Sequence, residues 1–186
     1  MTDIPTQFQD IKEVLGESGF ASGSVWYHGT TSALVESILE HGLKRSGDQA
    51  MNKAAKSTMA TIGNSYTETR EPVYLTPSKA LAYYWAQKTL TRRRARFEGE
   101  EEAVVLAVTL DDTLAEKVRP DVGAAGMLIV QGGDGYIEFL KEQYELVGRD
   151  FPEFDLSNVQ REDYLRVLGL AYLDKDVPAE AVSLEK

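Results

Sequence analysis

Hydrophobic and polar positions along this chain switch between two periods, near 3.6 and near 2, and the switches mark its elements. Gln7 to Val14 has the spacing of a short amphipathic helix, which Gly16-Glu17-Ser18-Gly19 ends. Val25-Trp26-Tyr27-His28 reads as a short buried strand, followed at once by Gly29 and the hydroxyl residues Thr30, Thr31 and Ser32. Leu34, Val35, Ile38 and Leu39 then recur at helical spacing, and His41-Gly42 closes that helix. Residues 44–72 form a long polar stretch with a weak helical pattern from Met51 to Met59. Connections this long within a compact domain are usually functional or disordered, which makes this one a candidate binding loop.

Val73-Tyr74-Leu75-Thr76 reads as a second buried strand, Pro77-Ser78 as a turn and helix N-cap, and Ala80 to Leu90 as a helix. A charged stretch from Arg92 to Glu102 precedes Ala103 to Leu110, the strongest strand signal, a near-continuous apolar run suited to a central strand. Beyond Asp111-Asp112, Met127 to Val130 predicts a strand and Gly132-Gly133-Asp134-Gly135 a tight turn. Helices are predicted over Tyr136 to Val147 and Val159 to Leu168, and strands over Leu170 to Leu173 and Ala181 to Leu184. The elements intersperse without a regular βαβ alternation, so the expected architecture is α+β with a central, largely antiparallel sheet. One domain spans residues 1–186, with residues 1–22 as an N-terminal helical extension.

Composition narrows the chemistry. A formal net charge of -10 argues against broad binding to a phosphate backbone, though a local basic patch survives it. The absence of cysteine excludes disulfides, thiolate catalysis and thiolate metal sites, and no metal is invoked. No apolar run is long enough to span a bilayer, and Met1 to Pro5 lacks a basic and apolar leader, so a cytoplasmic location without a membrane partner is expected. The arginines at 92, 93, 94 and 96 read as a helix C-terminus complementing its dipole, with Glu98 to Glu102 as the neutralising acidic loop.

A histidine beside a glycine on a rigid strand has the make-up of a site, and His41 is the only other histidine in the chain. Taken alone, the segment has a plain structural reading: a hydrogen-bonded histidine and an ordinary strand-to-helix turn. The second strand adds Tyr74, and the helix after it adds Tyr83, Tyr84 and Trp85. Tyr74 and Tyr83 are placed to sandwich a flat heteroaromatic ring, each face contact contributing about 0.5–1.5 kcal/mol. The competing reading puts the helix aromatics on a core face, and it suits Trp85 and one of the two tyrosines.

Together these segments resemble the His-Tyr-Glu branch of the ADP-ribosyltransferase superfamily, which includes the poly(ADP-ribose) polymerases. His28-Gly29-Thr30 is similar to the first motif, and Ile38-Leu39-Glu40-His41-Gly42-Leu43 to the helix end that follows it. Tyr74, Ser78, Lys79 and Tyr83 fall in the order of the second motif, and the likeness covers Val25 to Leu110. The resemblance implies an ADP-ribosyltransferase-like split sheet and NAD as co-substrate, bound by His28, Gly29, Thr30, Tyr74, Ser78 and Tyr83. In that scheme His28 bonds an adenosine-ribose hydroxyl, the Gly29 backbone pairs with the nicotinamide carboxamide, and the two tyrosines stack on the ring. The nicotinamide–ribose bond breaks through an oxocarbenium-like species, which a carboxylate stabilises.

The third motif departs from the pattern. The family's glutamate opens a late strand, but no glutamate opens Leu168 to Leu173; Glu162 and Asp163 precede it, and Glu138 stands on a predicted helix. Asp163 is therefore the candidate third catalytic residue, beside His28, Tyr74 and Tyr83. The implied activity is transfer of a single ADP-ribose from NAD to a macromolecular acceptor, protein or nucleic acid, as in a microbial or phage effector or toxin. The alternatives are a non-catalytic NAD or ADP-ribose binder, an NAD glycohydrolase, and, less favoured, an RNA 2′-phosphotransferase, for which the sequence offers no basic constellation. Residues 44–72 are the candidate contact with the acceptor.

Overall fold

The computed structural model describes residues 3–61, 70–130, 133–155 and 158–185. Among these the strands are β1 (Leu15–Gly16), β2 (Gly19–Phe20), β3 (Val25–Thr31), β4 (Val73–Leu75), β5 (Ala103–Thr109), β6 (Arg119–Pro120), β7 (Ala171–Leu173) and β8 (Val182–Leu184). The α-helices are α1 (Ile11–Val14), α2 (Ser32–His41), α3 (Gln49–Thr61), α4 (Lys79–Arg94), α5 (Asp112–Ala115), α6 (Ala124–Val130), α7 (Asp134–Leu146) and α8 (Asp163–Arg166). The fold is mixed α+β, with small antiparallel sheets.

β5 is central in one sheet, between β3 and β8, as its β-branched run predicts. Its register with β3 runs without a break from Val25 opposite Thr109 to Thr31 opposite Ala103. A second sheet has the order β4-β7-β6, with Tyr74 opposite Tyr172 and Tyr172 opposite Arg119. Among the described residues the two sheets are stitched at one bridge: the Tyr27 N–H donates to Thr76 O at 2.8 Å, and the Thr76 N–H to Tyr27 O at 3.0 Å. Beyond that bridge β3 and β4 part company.

Two hydrophobic clusters flank the sheets. Trp26, Leu75, Leu106, Val108, Leu173 and Val177 form one; Leu81, Tyr84, Val105, Tyr136, Leu140 and Leu168 belong to the other. Helix α4 lies against β3 and β5, and its Ala80, Ala82 and Ala86 are fully buried. The approach is so close that a Cβ on Gly29 would overlap the Ala82 carbonyl oxygen and come within 2.6 Å of the Ala86 nitrogen. The start of α4 is tied down by the N-terminal segment. Ser78 Oγ accepts from Leu81 N–H and donates to Asp10 Oδ1 at 2.6 Å, while the Asp10 carboxylate also accepts from the N–H groups of Lys79 (2.7 Å) and Ala80 (3.3 Å). These are the first-turn donors that a helix leaves without internal partners.

Several expectations are corrected. Met127 to Val130, expected as a strand, belongs to α6; a four-residue apolar run has no period that separates strand from helix, and the Asp121 carboxylate, accepting from the N–H groups of Gly123 and Ala124, starts a helix there. The helix expected over Gln7 to Val14 is split into a 3-10 turn, Thr6–Phe8, and α1, and then folds back through the β1–β2 hairpin. Ile4, Phe8, Ile11, Leu15 and Phe20 of this segment pack in the core. The helix expected over Val159 to Leu168 is confined to α8. The weak helical pattern from Met51 to Met59 in the polar stretch 44–72, by contrast, falls within α3, a 13-residue helix, while residues 62–69 lie outside the described residues. Of the expected turn at Gly132 to Gly135, Gly132 lies outside the described residues, and Gly133 and Asp134 open α7. No helix among the described residues is long and apolar enough to cross a membrane.

Candidate functional site

A cavity of about 420 Å³ opens where β3 and β4 diverge. His28, Gly29 and Thr30 form one wall and Val73 and Tyr74 the other; α2 and the first two turns of α3 close its sides, with Thr89, Arg92 and Arg93 of α4 at one end. Its volume falls in the range of small-molecule sites.

The backbone explains the opening. Alternate residues of an antiparallel strand direct their N–H and C=O to the same neighbour. Tyr27 directs both groups to β4, so Gly29, two residues on, turns its own N–H and C=O the same way, into the gap where β4 has moved off. Its missing Cβ has another cause, since that direction is filled by α4. Gly29 thus lets the helix pack while its backbone donor and acceptor face the cavity.

His28 spans the gap with its side chain. Its Nδ1 lies 2.8 Å from Tyr74 O. A carbonyl only accepts, so Nδ1 carries the hydrogen and Nε2 is left as an acceptor. Burial holds the imidazole pKa below its usual value, against the opposing pull of the Tyr74 carbonyl. The ring is neutral at pH 7 and suited to receiving a hydrogen bond rather than shuttling a proton. Thr30, two residues on, is buried. Tyr74 is 46% exposed, and its phenol is pushed up to about 12, by desolvation first and by Glu71 and Asp121 next, with Arg92 opposing.

The structure brings His28, Gly29, Thr30 and Tyr74 together; it does not bring Ser78, Tyr83 or Asp163 to this cavity. Ser78 is fully buried as the cap of α4. The Tyr83 ring lies 5.3 Å from that of Phe8, and its hydroxyl accepts from Gln87 Nε2 at 2.7 Å, so it faces the N-terminal segment. Tyr84 stacks on Phe139 at 4.7 Å and Trp85 packs on Tyr136, which is the core reading of these aromatics. Asp163 is paired with Arg166 at 2.5 Å, which holds its carboxyl below the usual range, and it lines a separate depression with Phe154 and Val167.

Comparison with protein-family models and with curated proteins returns no match.

The cavity also gathers charges that local sequence reading left apart. Arg93, 6% exposed, donates to Asp48 at 2.6 Å and to both oxygens of Glu101 at 2.8 and 3.0 Å. The Asp48 carboxylate in turn accepts from Met51 N–H at 3.0 Å at the start of α3. The arginine run thus ends the helix as expected and meets the acidic loop through Glu101, but it also clasps α3 to α4. Arg92 has no carboxylate partner among the described residues, and Lys44 reaches Asp176 only at 3.9 Å. The run of arginines was the available sequence signal for Arg92. Nothing local distinguished Lys44 or Glu71.

Proposed function

We propose that this protein is an NAD-dependent mono-ADP-ribosyltransferase on an ADP-ribosyltransferase-like split sheet, acting on a macromolecular acceptor. The observation that carries the reading is Gly29, whose N–H and C=O face the cavity side by side opposite the Tyr74 segment. That donor–acceptor pair complements a carboxamide, which offers one acceptor and one donor in the same plane. Tyr74 supplies an aromatic face and an apolar wall for the nicotinamide ring. His28 Nε2 accepts from a ribose hydroxyl, and Arg92 and Lys44 at the cavity rim suit a pyrophosphate. Tyr83 has no part in this site as it stands; stacking falls to Tyr74. Two small antiparallel sheets that meet at the Tyr27–Thr76 bridge, and the order of the His28 and Tyr74 segments, support the same reading.

Incubation with NAD labelled in the adenosine part tests it, with nicotinamide release followed with and without cell lysate. Release that depends on lysate, with label moved to a macromolecule, is the expected result, and His28→Ala abolishes it. Release without an acceptor identifies a glycohydrolase instead. NAD-dependent thermal stabilisation without release identifies a binder. Neither stabilisation nor release refutes the proposal.

A further inference from the structure

Departure of nicotinamide leaves positive charge on the ribose, and a carboxylate is required to meet it. Two carboxylates line the cavity, Asp48 and Glu71. Asp48 is committed: one oxygen binds Arg93 and the other the Met51 N–H. Glu71 has no ion pair, and no hydrogen bond reaches its carboxylate among the described residues. Its backbone is nonetheless fixed, since its N–H donates to Ser46 Oγ at 2.7 Å and its C=O accepts from Ser46 N–H at 3.1 Å. Three residues on stands Tyr74, whose phenol senses the Glu71 charge more strongly than any other. Asp163, with one oxygen held by Arg166 and the other by the Gln160 N–H in a different depression, meets none of these conditions.

We propose that Glu71 is the catalytic carboxylate of this site, an inference that rests on the transferase reading above. It stands ahead of the tyrosine strand β4, not at the start of a late strand. In the step it serves, the bond between ribose C1′ and the nicotinamide ring nitrogen breaks. The electron pair leaves with nicotinamide, which becomes neutral. The Glu71 carboxylate stabilises the oxocarbenium charge, the acceptor heteroatom forms the new bond to C1′, and its proton passes to Glu71 and then to water. No oxidant or metal enters the balance.

The test compares Glu71→Gln, Glu71→Asp and Asp121→Asn with the unaltered full chain, reading NAD-dependent thermal stabilisation alongside kcat and KM for nicotinamide release. Glu71→Gln is expected to keep the stabilisation and KM while kcat falls about 10²–10³-fold, and Glu71→Asp to recover part of that loss. The side chain is exposed and its carboxylate has no hydrogen bond or ion pair among the described residues, so melting temperature without ligand is expected to stay unchanged. Unaltered kcat in Glu71→Gln, with an active parent, overturns this inference alone. A loss confined to Asp121→Asn overturns it in favour of Asp121, the other carboxylate that Tyr74 senses. A parent protein that neither binds nor cleaves NAD overturns the transferase reading itself, and this inference with it.

Discussion

Replacing Arg93 with methionine removes one cation and leaves two shielded carboxylates. Methionine retains most of the apolar stem, so the change acts through the three hydrogen bonds to Asp48 and Glu101. The Glu101 side chain is 12% exposed and that of Asp48 23% exposed. Deleting one partner of a buried ion pair costs about 3–5 kcal/mol, and the partial solvation of Asp48 places this case near the lower end, about 3 kcal/mol. For a domain of this size that corresponds to a fall in Tm of about 6–12 °C. Urea unfolding at pH 7 of Arg93→Met, Asp48→Asn and the double variant measures it, with an expected coupling of about 1–3 kcal/mol. Arg93 also holds the Glu101 carboxyl below its usual value near 4.5. A depressed carboxyl contributes stability above its unfolded pKa and loses it as pH falls through the lower folded value. The acid limb below about pH 4.5 is therefore steeper in the parent protein than in Arg93→Met. A loss under about 1 kcal/mol, or identical acid limbs, refutes the clasp.

Other outcomes follow from the same geometry. The neutral His28 accepts through Nε2, so NAD affinity by calorimetry holds steady above pH 6.5, the usual imidazole value, and falls once the pH drops below the still lower folded pKa; the folded state also loses stability as pH falls below about 6.5, and His28→Gln removes that component of both profiles. Gly29→Ala forces α4 off β3 and costs about 1–3 kcal/mol or more in denaturant unfolding, with or without ligand, whereas a purely ligand-facing glycine would leave the ligand-free protein unaffected. Tyr74→Ala weakens NAD binding while the ligand-free melting temperature changes little. Tyr83→Ala does the reverse, because it removes a contact with Phe8; if NAD affinity follows Tyr83 instead, the cavity is misassigned. Arg92→Ala flattens the dependence of NAD affinity on salt, and an unchanged slope removes it from the site.

The parts legible in the sequence are those where local pattern and tertiary burial agree. Val105 to Val108 are apolar and buried at the centre of β5, Trp26, Thr30 and Thr31 anchor β3 in the interior, and Ser78 is a capping residue in both pattern and structure. Met127 to Val130 was misleading because its apolar run is too short to carry a period, and Asp121, whose carboxylate accepts from the Gly123 and Ala124 N–H groups ahead of α6, is itself placed by its N–H donating to the C=O of Leu170, far along the chain. The site was half legible. His28 and Tyr74 announce themselves on adjacent strands. Tyr83 and Tyr84 differ by 100° around one helix, and only the position of Phe8, some 75 residues earlier, decides where Tyr83 points. Of the two partners of Arg93, Glu101 lies in the neighbouring acidic loop and is legible locally, whereas Asp48 comes from the far side of β4 in the chain, so the clasp that shapes the cavity is a long-range property.

Among the described residues the Tyr27–Thr76 bridge is the one main-chain tie between the β3 and β4 sheets, so beyond it the two cavity walls are held apart or together by side chains. Trp26 and Leu106 of one sheet share a buried cluster with Leu75 and Leu173 of the other, which fixes the sheets against each other behind the opening. At the opening itself His28 is the tie, through Nδ1–H to the Tyr74 carbonyl, and its Nε2 is left over as an acceptor. One imidazole therefore serves two ends: one nitrogen keeps the walls in register, and the other is a hydrogen-bond acceptor the cavity has to offer.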